Sequence, residues 1–240
     1  MKTYSLIKQI LLGSILVLNL KLSFGADWPM WGRDGTRNMV SDEKNITLDF
    51  NPGEMNDDEV VDMKTTNNVK WVAKLGSQAY GNVTIGNGYV FVGTNNESPR
   101  DSGKIGDRGV VMCLDEKTGE LKWQLVIPKL GAGKVSDWEY IGICSSAAIE
   151  GDKVYVVTNR CEVVCLDING LADGNDGPFK DEAAYVRPKG LKDELNPKLD
   201  ADILWMYDMR DELGVFPHNV TSSSPVIVGD NVYVATSNGV

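Results

Sequence analysis

Ala147-Ala148-Ile149-Glu150-Gly151-Asp152-Lys153-Val154-Tyr155-Val156-Val157 reads as two short strands joined by a tight turn. Gly151 beside Asp152 supplies the positive φ such a turn needs, and the β-branched and aromatic residues after it fill a pleated strand. Working out from the turn, Ile149 pairs with Val154 across the hairpin. The same pattern stands upstream as Val83-Thr84-Ile85-Gly86-Asn87-Gly88-Tyr89-Val90-Phe91-Val92, and downstream as Pro225-Val226-Ile227-Val228-Gly229-Asp230-Asn231-Val232-Tyr233-Val234. Three copies of one hairpin indicate an internal repeat.

A further strand follows each of the first two hairpins: Gly109-Val110-Val111-Met112-Cys113-Leu114-Asp115 and Glu162-Val163-Val164-Cys165-Leu166-Asp167. A fourth strand then ends in tryptophan, at Trp71 in Val-Lys-Trp, Trp123 in Leu-Lys-Trp and Trp205 in Ile-Leu-Trp. The tryptophans are 52 and 82 residues apart, longer than a bare propeller blade of ~40 residues. Insertions at 95–108 and 169–201 account for the excess. Helical periodicity is weak throughout. The fold expected is all-β, a partial β-propeller of four-stranded antiparallel blades. Val69–Leu75 is expected to be a lone fourth strand, and the third hairpin stops at Asn238-Gly239-Val240. A closed ring needs roughly four to eight blades, so the chain is expected to be an N-terminal fragment of a longer propeller.

Cys113-Leu114-Asp115-Glu116-Lys117-Thr118-Gly119-Glu120-Leu121-Lys122-Trp123 resembles the A-x-D-x-x-T-G-x-x-x-W tryptophan-docking motif of the PQQ-type, quinoprotein-dehydrogenase-like propeller family, with Cys in place of Ala. The hairpin Gly151-Asp152-Lys153-Val154-Tyr155-Val156 is similar to the hairpin of those repeats. Trp31-Gly32-Arg33-Asp34-Gly35-Thr36-Arg37 resembles the opening of quinoprotein dehydrogenases. The resemblance covers residues 27–240. It implies that Trp71, Trp123 and Trp205 pack between neighbouring blades, and that PQQ and calcium are the cofactors of any enzymatic member. Such repeats also build non-enzymatic propellers, including an outer-membrane assembly factor.

Upstream of the repeats, Lys2 and Lys8 precede an apolar run from Ile10 to Leu20, and Ser23-Phe24-Gly25 places small residues before Ala26. This is the layout of a cleaved secretory signal. The run is too short to span a bilayer. The expected division is 1–25 signal peptide, 26–68 N-terminal extension and 69–240 propeller, in a periplasmic or secreted protein without a transmembrane segment in its mature chain. Removing three Lys and no acids would take the net charge from −10 to −13. So acidic a surface repels phosphate backbones and argues against nucleic acid as a partner.

Catalytic signals are sparse. The chain has one histidine, His218, beside Ser222-Ser223-Ser224. No orienting acid can be named for a Ser–His pair, and the serines match Ser145-Ser146 of the preceding repeat. The vicinal Cys pair that quinoprotein dehydrogenases hold against their quinone has no counterpart here. Asp167, Asn169, Asp173 and Asp176 lie in a Gly-rich loop and could offer oxygens to Ca²⁺. The spacing does not fit an EF-hand, and a solvated loop with Asx-turns is the competing reading. Counting out from the Ile149–Val154 pair brings Cys144 close to Cys161, and a disulfide is expected there. Cys113 and Cys165 occupy equivalent positions and are expected to be buried free thiols. The function expected is binding or scaffolding of a protein, glycan or small ligand, the alternative being part of a PQQ-dependent alcohol or sugar dehydrogenase.

Overall fold

The computed structural model describes residues 26–187 and 195–236. The expected signal segment lies outside the described residues, as does the end of the third hairpin. Short pairs β1 (Glu54–Met55) and β2 (Val61–Asp62) form a small antiparallel ribbon. The first four-stranded sheet follows: β3 (Thr84–Gly86), β4 (Tyr89–Asn95), β5 (Arg108–Asp115) and β6 (Leu121–Pro128), paired in chain order. The second repeats that order with β7 (Ala148–Glu150), β8 (Lys153–Val157), β9 (Glu162–Asp167) and β10 (Ile203–Asp208). The third hairpin is β11 (Val226–Val228) with β12 (Asn231–Tyr233). All these pairings are antiparallel, and Ile149 does face Val154.

The registers of the two sheets correspond residue for residue at their centres. Phe91 faces Cys113, which faces Trp123. Tyr155 faces Cys165, which faces Trp205. Strand alternation then sorts the side chains. Val111 and Cys113 point with Trp123, Leu125 and Ile127 into a core shared with Ile149, Val154, Val164 and Leu166 of the second sheet. Val110, Met112 and Leu114 point the other way, where Trp71, Ala73 and Leu75 cover them. Both faces of the first sheet are therefore apolar, which is why its strands read as near-continuous hydrophobic runs.

Val69–Leu75 is not a strand, contrary to expectation. A strand exists only with a ladder partner, and no described strand pairs with this segment. It nevertheless lies on the face of the first sheet, held by Trp71. The indole N–H of Trp71 donates to the Glu116 carbonyl at 2.9 Å, and the ring lies over Gly119. One repeat further on, the indole N–H of Trp123 donates to the Ile168 carbonyl at 2.8 Å, with its ring over Gly170. Gly119 and Gly170 both have positive φ, at 74° and 61°. A Cβ at either would sit under 3 Å from the indole, so only glycine admits the ring so close. Trp205 packs against Tyr155 with ring centroids 6.0 Å apart.

The segment after residue 26 crosses the first strands of all three repeats. Trp28 exchanges backbone hydrogen bonds with Ile85 of β3, at 2.9 and 3.0 Å. The Ile149 N–H of β7 donates to the Pro29 carbonyl at 2.7 Å. Met30 is buried with Ala148, Tyr155 and Ile227, and Gly35 approaches Val228 of β11.

Candidate functional site

The coil that leads into each first strand has the same role in each repeat. Asn82, Ser146 and Ser224 each stand two residues before β3, β7 and β11. The Asn82 N–H donates to Ser146 Oγ at 2.8 Å, and the Ser146 N–H donates to Ser224 Oγ at 3.1 Å. Each of the first two repeats thus gives a backbone donor to a hydroxyl of the next. The three positions border a cleft of ≈ 680 Å³ whose rim also carries Trp31, Arg37 and Tyr80. The Arg37 guanidinium lies 4.9 Å from the Trp31 ring centre and donates to the Trp31 carbonyl. Tyr80 is largely exposed. The volume lies within the range of ligand pockets, and exposed aromatics beside a few hydroxyls and amides are typical of recognition.

Among the described residues, nothing in this cleft forms a nucleophile–base pair. Ser222, Ser223 and Ser224 line it, but His218 is exposed and is not among the lining residues. Cys144 lines it too, and burial pushes that thiol up to about 11. A thiol so placed is protonated at neutral pH and is a weak nucleophile.

The expected Cys144–Cys161 bond is not formed: all four cysteines are free and buried. Cys161 sits in the turn between β8 and β9 with φ at 62°, and it packs with Val157, Val163, Met209 and Val215. Cys144 instead lies beside Lys129 and Asp137. Extrapolating an ideal hairpin past Val157 overlooked that left-handed turn. Cys113 and Cys165 are free and buried, as expected from their equivalence. Burial raises both thiols, Cys165 to about 12.

The proposed calcium ligands are not gathered into a site. Among the described residues no group of three His, Cys, Asp or Glu is placed to hold a metal ion. Asp167 accepts from the Asn169 N–H at 2.7 Å, as Asp115 accepts from the Lys117 N–H at 2.9 Å. It is the Asx-turn residue of its repeat, equivalent to Asp115. Asn169 donates to Asp173 at 2.8 Å, and the Asp176 N–H donates to Asp202 at 2.7 Å. Asp202, not singled out by the sequence, is fully buried. Burial first, then the charges of Glu182, Asp167 and Asp176, raise its carboxyl to about 6.

Two four-stranded antiparallel sheets, each presenting a turn on which a tryptophan of the preceding unit docks, define a β-propeller-like repeat protein. Residues 54–175, just over half the chain, match the PQQ-type repeat family described as outer membrane protein assembly factor BamB, and the chain belongs to that family. A search of curated proteins finds no match. Among the described residues no helix is long and apolar enough to cross a membrane.

Proposed function

We propose that the chain is an extracytoplasmic propeller module that holds a segment of a partner protein at the Trp31–Tyr80 cleft without transforming it. The observation that supports this is the convergence of equivalent coil positions, Asn82, Ser146 and Ser224, on one mostly apolar opening rimmed by exposed aromatics. The family's description as an assembly factor favours a protein partner over a glycan or small molecule. A signal-like N-terminus favours a periplasmic or secreted setting.

The PQQ-dependent dehydrogenase reading fits less well. A quinone bearing three carboxylates would meet one cation in the cleft, Arg37, already engaged with Trp31. The calcium that accompanies such a quinone wants six to eight oxygens, and the described carboxylates offer no such cradle.

The test is site-specific photo-crosslinking in the envelope of the source cell. A crosslinker at Tyr80 should give one discrete protein adduct that a crosslinker at Tyr233 does not, and Trp31→Glu should abolish it. An unchanged adduct in that variant, or no adduct at Tyr80, would reject the cleft as the docking site. Adding PQQ and Ca²⁺ should produce no dye-linked alcohol oxidation, and turnover would favour the enzyme.

A further inference from the structure

Among the described residues, Arg37 is the one charged group on the wall of the Trp31–Tyr80 cleft, in a chain of net charge −10. A tight turn puts it there. The Arg37 N–H donates to the Asp34 carbonyl at 3.0 Å. Arg37 itself has φ at 57°, a left-handed conformation that glycine alone adopts without strain. Its stem packs over Gly32, where a Cβ would come within 2.8 Å of Arg37 Cδ. Strained backbone of this kind gathers at binding sites.

The guanidinium is held but not neutralised. It lies against the Trp31 ring and donates through Nη1 to the Trp31 carbonyl, which uses one of the five N–H bonds that a guanidinium carries. Among the described residues no carboxylate pairs with it. Asp34, the nearest acid in the sequence, accepts instead from the Thr36 N–H at 2.9 Å and from Arg33 Nε at 3.3 Å. Burial displaces Arg37 below the usual guanidinium range, with no opposing charge to offset it. The hydroxyls nearby are donors too. Ser146 Oγ, Ser223 Oγ and Ser224 Oγ already accept backbone N–H groups, from Asn82, Ala235 and Ser146 respectively. A hydroxyl that accepts in this way still has its proton to give, and no Asp or Glu lines the cleft to receive it. The cleft therefore offers donors and lacks an anionic acceptor.

We propose that the partner segment held in this cleft carries a carboxylate side chain, Asp or Glu, between apolar residues, and that this carboxylate pairs with Arg37. The pairing presupposes the docking of a protein segment proposed above. The apolar part of the lining suits the flanking residues, and a charge-assisted contact from guanidinium to carboxylate fixes their register. A longer acidic run fits poorly. Each further acid would meet the net negative charge of the chain without a second cation in the cleft.

The segment recovered from the Tyr80 crosslink adduct is sequenced, synthesised and titrated against the whole chain by calorimetry. It should contain an Asp or Glu whose replacement by Asn or Gln weakens binding roughly tenfold or more. Arg37→Gln should cause a similar loss, and the two changes together should add little to either alone. Arg37→Lys, which keeps the charge and loses the planar fork, should lose less. Arg37→Glu paired with a peptide carrying Lys at the acidic position should bind more tightly than either reversal alone. A purely structural role for Arg37 would give no such rescue. Melting curves of each variant, taken first, exclude misfolding, and Arg37→Lys with the peptide replacement carries the comparison should Arg37→Gln unfold. A segment without a carboxylate, full-strength binding by Arg37→Gln, or additive losses in the double change overturns the proposal and leaves the cleft as the docking site. No adduct at Tyr80 removes the docking itself, and the Arg37 pairing with it.

Discussion

The indole N–H of Trp123 reaches across the boundary between the two sheets to the carbonyl of Ile168, at 2.8 Å. Trp71 makes the same bond to Glu116, and each tryptophan stands 45 residues before its acceptor. Trp123→Phe keeps the ring and removes the donor, leaving a buried carbonyl unpaired. Denaturant unfolding should show a loss of about 1–3 kcal/mol.

Gly170→Ala attacks the same contact from the other side. The new Cβ would lie 2.8 Å from the Trp123 ring, on a residue with φ of 61°. The expected loss is about 2–4 kcal/mol from the left-handed backbone and overpacking together. Gly151→Ala is the control, since its Cβ would meet nothing within 4 Å. It should lose only the backbone part, about 1–2 kcal/mol. Equal losses at the two positions would show that the indole does not constrain Gly170.

Ser146→Ala should uncouple neighbouring repeats locally. Its hydroxyl is the acceptor for the Asn82 N–H, and its loss should destabilise by about 1 kcal/mol. Hydrogen exchange should report faster opening at the Asn82 amide, with the amides of β5 unaffected.

Asp202 makes stability depend on pH in a defined direction. Its carboxyl is raised from 3.8 to about 6, chiefly by burial. The folded state therefore holds a proton that the unfolded state has released across that interval, and stability falls as pH rises from about 4 through about 6. Asp202→Asn keeps an oxygen for the Asp176 N–H and removes the buried charge. Relative to wild type it should melt higher at pH 7, with the difference fading below about pH 4. A difference independent of pH would show that Asp202 does not titrate in that range.

The free thiols give a direct chemical check. Protein purified without reductant should show four reactive thiols per chain in guanidinium. In the folded state all should react slowly, with Cys144 first because it lines a cleft. Two reactive thiols in guanidinium would mean that a disulfide exists after all.

The strands were legible because their code is local. Gly-Asp turns and alternating Val and Tyr fix a hairpin without reference to the rest of the chain, and the Ile149–Val154 register follows from the turn alone. The Phe91–Cys113–Trp123 row and its counterpart follow from aligning repeats. Val69–Leu75 misled because its composition suits a strand, whereas ladder formation depends on a neighbour the composition does not report. The acidic loop misled because Asp167 obeys the same Asx-turn rule as Asp115, so its oxygen was already taken. Tyr80 carried no signal, lying in coil with unremarkable neighbours.

The segment that bonds to Ile85 and Ile149 and lies against Val228 imposes an order of events during biosynthesis. Trp28, Pro29 and Gly35 leave the ribosome before any of those partners exists. The first can pair once β3 is made, the second must wait for β7, and the third for β11 near the far end of the sequence. Contacts so distant along the chain close slowly, because loop-closure entropy is lost before they form. The two sheets can therefore assemble from their own neighbouring strands while this segment is still unsatisfied, and its docking would appear as a late kinetic phase, selectively slowed by substitutions at Met30.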